Sequence, residues 1–153
     1  MAYDLYYLMT HALAEAETAF REGEVPVGAV LAGPEGDIVS KAHNQPISLN
    51  DPTAHAEMLA LREGAAILGN YRLNGCILVA TIEPCIMCMG AAIQARIGQI
   101  GFGARDPKAG AAGSLYDLPR DARLNHRVAI TSGIMEAACR DLMQRFFRAR
   151  RRT

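Results

Sequence analysis

Apolar positions recur at Leu5, Leu8, Met9, Ala12, Leu13, Ala16, Ala19 and Phe20, the spacing of one helix face, which predicts a helix over 4–22. Asp4 suits its cap and Gly23 its stop. The period then changes. VPVGAVLAG (25–33) is a continuous apolar run, PEGD (34–37) is turn chemistry, and IVSKAHN (38–44) is a second run; together they predict a hairpin. QPISLNDPT (45–53) reads as a loop ending in a helix start, with Asp51 as cap and Pro52 at the first helical position. The helix AHAEMLALREGAAILG follows, closed by Gly69 and Asn70. GCILVATI (75–82) predicts a strand, after which Pro84 opens a helix over CIMCMGAAIQARIG. QIGFGA (99–104) predicts another strand, leading into a glycine-rich loop. A short strand, VAIT (128–131), precedes an amphipathic helix over 134–150.

Strands alternating with helices imply an α/β domain of three layers, α/β/α, with helices on both faces of a mixed five-stranded sheet. The first two strands should be antiparallel and the later ones parallel. At 153 residues with half of them apolar, the chain is one domain, 1–153, with material for a core. The amino-terminal stretch is broken by Asp4, His11, Glu15 and Glu17, so it is expected to be neither a signal peptide nor a membrane span. A cytoplasmic, reducing setting is the expectation, and there cysteines read as metal ligands or catalysts before they read as bridges. Net charge is zero, but its distribution is uneven. Asp4, Glu15, Glu17, Glu22 and Glu24 lead the chain against Arg21 alone, whereas nine arginines from Arg120 onward face only Asp121, Glu136 and Asp141. Such asymmetry hints at a polyanionic partner.

Candidate chemistry centres on EPCIMCMG (83–90). Cys85 and Cys88 fall in the first turn of the helix opened by Pro84, where free amides and the helix dipole favour thiolates. Their spacing puts both sulfurs on one face, able to share an ion. A C-x-x-C alone could equally be a redox pair or half of a structural zinc site. His55 supplies a third ligand, because it too lies at a helix start, one strand upstream and on the same sheet edge. No fourth ligand is evident: Cys76 begins a strand at the opposite end and Cys139 is mid-helix, and both read as buried apolar residues. Three ligands with an open position describe catalytic zinc. Glu57 is turned away from the ion that His55 would hold, but is long enough to reach a water there, which suits a general base.

HAE (55–57) followed by PCIMC (84–88) resembles the zinc-dependent nucleoside deaminases. EVPVGAVL (24–31), NDPTAHAE (50–57), NYRL (70–73), EPCIMCMGA (83–91), RIGQIGFGARDPKAGAAGS (96–114), NHR (125–127) and FFRARR (146–151) are similar to the bacterial tRNA-specific adenosine deaminases, the TadA type. The resemblance implies a cytidine-deaminase-like fold and hydrolytic conversion of adenosine to inosine at the wobble position of a tRNA anticodon. It implies one zinc per subunit on His55, Cys85 and Cys88, with Glu57 as proton shuttle. A homodimer binding a tRNA anticodon stem-loop, with no membrane, is the expected assembly. Asn44 matches a pocket asparagine, although a turn residue before Pro46 is an alternative reading. Glu83 is expected to contribute backbone rather than side-chain contacts. Asp106 and Lys108 lie in the loop that the family uses near RNA, and Arg148, Arg150 and Arg151 suit phosphate contacts. His126 either touches RNA or caps a strand. The alternative activity, sharing the same core, is deamination of a free nucleobase or nucleoside of the guanine or cytosine type. A second alternative is a non-catalytic zinc protein whose metal only staples two helix starts.

Overall fold

The computed structural model describes residues 4–151, so Arg152 at the end of the basic tail lies outside the described residues. The elements are α1 (Leu5–Arg21), β1 (Gly28–Ala32), β2 (Ile38–His43), α2 (Pro46–Leu49), α3 (Ala56–Leu68), β3 (Ile77–Ile82), α4 (Ile86–Gln94), β4 (Gln99–Ala104), a 3-10 turn (Leu118–Arg120), β5 (Ala129–Thr131) and α5 (Glu136–Arg151). The strands form one sheet in the order β2-β1-β3-β4-β5. β1 pairs antiparallel with β2 and β3, whereas β3–β4 and β4–β5 are parallel. The expected mixed five-stranded α/β architecture is the one observed.

Helices cover both faces, and the register shows how. Gly28 and His43 are paired across β1 and β2, and both face α1: His43 bonds Glu15 and Glu22. A Cβ on Gly28 would lie 1.9 Å from the carbonyl oxygen of Ala12, so a glycine is required for α1 to approach the strand backbone. Leu31 and Ser40, also paired, face the opposite way, against Gly64 and the Ala60 carbonyl of α3. β1, β3 and most of β4 are buried along their length, as expected for strands covered on both sides. Cys76 and Cys139 are buried in this core, and burial pushes the Cys139 thiol up to about 12, which fits their reading as small apolar residues.

Two local expectations need correction. The segment 45–53 is not all loop: it contains α2, whose first amides (Ile47 and Ser48) donate to the buried carboxylate of Glu24 at 3.2 and 2.8 Å. Asp51 does not cap the next helix. Its carboxylate accepts from the backbone N–H and hydroxyl of Thr53, closing a local turn, so α3 begins only after His55. Among the described residues no helix is long and apolar enough to cross a membrane.

Candidate metal centre and active site

His55 and Cys85 are the N-cap residues of α3 and α4, rather than residues of the first turns, and Cys88 lies one turn into α4. Both caps are extended, at φ −73° and −77°, and the His55 side chain makes no capping bond to its helix. An extended cap leaves imidazole and thiol free to point at a shared point beyond the helix ends. Nδ1 of His55 lies 3.6 Å from Sγ of Cys85 and 3.5 Å from Sγ of Cys88. A tetrahedral ion bonded at ~2.3 Å to sulfur and ~2.05 Å to nitrogen would hold such atoms about 3.6 Å apart, so the spacing fits zinc. Among the described residues no other group of histidine, cysteine and carboxylate ligands is so disposed.

The electrostatics agree with a thiolate site. Without metal, a hydrogen bond from Cys88 and the nearby His55 hold Cys85 down at about 4 despite its burial. The shared proton and burial push Cys88 far up. A dication held by the two sulfurs and His55 would take the place of that proton. Glu57, in the first turn of α3, is buried, and desolvation pushes its carboxyl up to about 7, helped by the charge of Cys85. It stands beside the three ligands but outside their group, as its helical position required.

Asn44 follows β2 directly and is buried. Its side-chain oxygen accepts from the Ala56 N–H at 2.8 Å, so it caps the start of α3 in place of the expected Asp51. The Glu83 carboxylate is also buried, but under the loop that follows β4: it accepts from the N–H groups of Asp106, Ala112 and Ser114. The Asp106 side chain in turn accepts from the N–H groups of Lys108 and Ala109. Asp106, Lys108, Arg148, Arg150 and Arg151 converge on one groove of about 1070 Å³ between this loop and α5. That groove does not include the His55 cluster; it reaches Ile82, on the strand that leads to Cys85. Arg150 also donates to the Gly23 carbonyl and lies over the Phe146 ring. His126 bonds the Ile97 carbonyl at 2.7 Å, holding its loop to the turn before β4. Glu24 and Ser114 were not singled out by sequence reasoning. Their partners are remote in the chain, and no local pattern marks them.

Residues 3–104 match the family model described as the cytidine and deoxycytidylate deaminase zinc-binding region. The chain belongs to this deaminase family. Similar proteins include the tRNA-specific adenosine deaminase of Streptococcus pyogenes serotype M18 (strain MGAS8232), 44% identical over 93% of this chain and 89% of that protein. The enzyme of the same description from Bacillus subtilis (strain 168) is 42% identical over 94% of this chain and 89% of its own length. A solved structure from work on A-to-I editing by tRNA:A34 deaminases at the wobble position of transfer RNA superposes with a TM-score of 0.86. It has 38% identity and covers 89% of this chain and 98% of that one. The family-model match ends with β4, and most residues of the basic groove lie beyond that match.

Proposed function

We propose that this chain hydrolytically deaminates adenosine to inosine at the wobble position of a tRNA anticodon, with one zinc held by His55, Cys85 and Cys88. The observation that carries this reading is the spacing of those three ligand atoms, tetrahedral in scale, beside a buried carboxyl. Similarity to tRNA-specific adenosine deaminases over nearly the whole chain supports the substrate. Zinc, when bound, supplies a Lewis acid that lowers the pKa of water. Glu57 takes a proton from the water that adds at C6 of adenine. It hands that proton to N1, then takes the remaining proton from the C6 hydroxyl as the carbonyl forms and gives it to the departing amino group, which leaves as ammonia. A carboxyl raised toward neutrality by burial is suited to both directions of transfer.

Asn44 has spent its side-chain oxygen on Ala56, so its amide N–H groups are left to meet acceptors on the base. The Glu83 side chain is occupied by the loop and its N–H by the Ala104 carbonyl, so in this reading its backbone carbonyl is the group that would receive the substrate amino group. The groove between Asp106, Lys108 and the α5 arginines would receive the phosphates flanking the extruded base. The proposal includes a cytoplasmic homodimer. A shallow apolar depression between α3 and α4, lined by Met58, Leu61, Ala65, Tyr71 and Ala95, supports a subunit contact there.

The test is inosine formation on a synthetic anticodon stem-loop with a wobble adenosine, alongside free adenosine, cytidine and guanine. Conversion of the stem-loop alone is expected. Turnover of a free base or nucleoside with the stem-loop untouched would overturn the RNA assignment.

A further inference from the structure

The loop between β4 and the 3-10 turn has no regular structure to stiffen it, yet it bears Asp106 and Lys108 and walls the basic groove. What it does have is a carboxylate at its centre. Glu83 reaches into the loop from the end of β3. Its Oε1 accepts from the Asp106 N–H at 3.0 Å and from the Ser114 hydroxyl, and its Oε2 accepts from the N–H groups of Ala112 and Ser114 at 3.0 and 3.1 Å. A carboxylate has about four lone-pair sites, and all are filled by one loop. The loop closes so tightly that a Cβ on Gly110 would sit 2.3 Å from the Glu83 carboxyl carbon. Two backbone contacts complete the arrangement: the Ala111 N–H donates to the Pro84 carbonyl at 2.8 Å, and Gly110 bridges Cys85.

We infer that Glu83 is a positioning residue: its carboxylate fixes the 106–114 loop against the ligand-bearing start of α4, and so sets how Asp106 and Lys108 meet the RNA. The inference rests on the proposed function for its substrate. Its geometry is independent of that reading. Glu83 stands two residues before Cys85, so a single short segment aligns the metal site and the groove wall. A carboxylate does this better than an amide, because every group facing it is a donor. Glutamine at this position would turn its own N–H₂ toward N–H and O–H donors. The bonds lost are all to the loop, and none is to a side chain of His55, Cys85 or Cys88.

The experiment compares wild type with Glu83→Gln, Lys108→Ala and the double variant. It reads zinc per chain, the thermal midpoint, steady-state kinetics on the wobble-adenosine stem-loop, and amide hydrogen exchange over 106–114. Glu83→Gln is expected to keep its zinc and to exchange faster at Ala112 and Ser114. Its KM should rise roughly 10- to 100-fold, with kcat changed less than about threefold. Adding Lys108→Ala should cost little more, because Glu83 acts through the loop that carries Lys108. Unchanged KM and exchange in zinc-loaded Glu83→Gln, or fully additive losses, would overturn the role. If Glu83→Gln does not fold, Ser114→Ala removes a single bond and is read by the same KM and exchange criteria. A wild-type chain that leaves the stem-loop untouched would overturn the proposed function, and the RNA-gripping role with it. A converting wild type with an indifferent variant overturns only the role of Glu83.

Discussion

The side-chain oxygen of Asn44 accepts a hydrogen bond from the backbone N–H of Ala56 at 2.8 Å. The contact joins the end of β2 to the first turn of α3, one residue from His55 and from Glu57. It therefore fixes which end of the Asn44 amide faces outward, because an N–H donor can only be met by the oxygen. Asn44 serves the fold with its oxygen, and its two amide N–H donors take no part in that contact.

Two substitutions separate those roles. Asn44→Asp keeps an acceptor for Ala56 and removes the donor, so kcat/KM is expected to fall at least about tenfold with the thermal midpoint nearly unchanged. Asn44→Ala loses the cap as well and should destabilise by about 1 kcal/mol. Wild-type kinetics in Asn44→Asp would exclude a role for the amide in reading the base.

The exposed arginines of α5 are expected to act through charge. Arg148→Ala and Arg151→Ala should each weaken stem-loop binding and reduce the slope of log K against log salt by about 0.7. Fluorescence anisotropy on a labelled stem-loop over a salt series measures both. Arg150→Ala should also lower stability, because Arg150 ties α5 to the Gly23 carbonyl and covers Phe146. A salt slope unaffected by all three would remove α5 from the RNA surface.

These contrasts bear on what the chain makes legible. His55, Cys85 and Cys88 could be read from the sequence because each sits at a helix start, and helix starts have local signals. The five strands were legible for the same reason: their apolar runs and turn residues are contiguous. α2 was missed because its amides are met by Glu24, more than twenty residues upstream, and no pattern within 45–53 announces that partner. The Asp51 cap failed because aspartate closes a local turn as readily as it caps a helix, and Thr53 was nearer. The side-chain role of Glu83 depends on donors at 106, 112 and 114, whose convergence is tertiary. Local chemistry was readable, and remote hydrogen bonding was not.

His43 links β2 to α1 through both ring nitrogens, at 3.0 Å to Glu15 and 2.9 Å to Glu22. Burial alone would lower its pKa, but the two carboxylates outweigh burial and raise it. A raised histidine binds its proton more tightly in the folded state. Its stabilisation is therefore full below the ordinary histidine value of about 6.5 and is lost as pH rises through the folded value. Urea midpoints of wild type and His43→Gln should differ most near pH ~5.5 and converge in mildly alkaline buffer. A gap that widened as pH rose would contradict the ion-paired arrangement.

Glu57 shifts stability in the same direction for a different reason, because it is an acid kept neutral by burial. With its carboxyl pushed up to about 7, the metal-free folded chain retains a proton that the unfolded chain releases at the ordinary carboxyl value. Relative to chelated Glu57→Gln, which cannot ionise at this position, the stability of the chelated wild type should therefore fall as pH rises from about 4.5 to about 7, by on the order of 3 kcal/mol, and then level off. The comparison with the variant is the readout, because the depressed thiol of Cys85 titrates in both proteins and pulls total stability the other way. With zinc restored, the dication favours the carboxylate and the slope in wild type should shrink. Turnover behaves differently: Glu57→Gln should bind zinc normally and lose activity by roughly 10²- to 10⁴-fold, the scale of a missing general acid–base. Zinc content, chelator-treated urea melts across pH and inosine release measure the three outcomes together. Retained turnover in the zinc-loaded variant would leave Glu57 as a buried structural acid and move the proton transfers elsewhere.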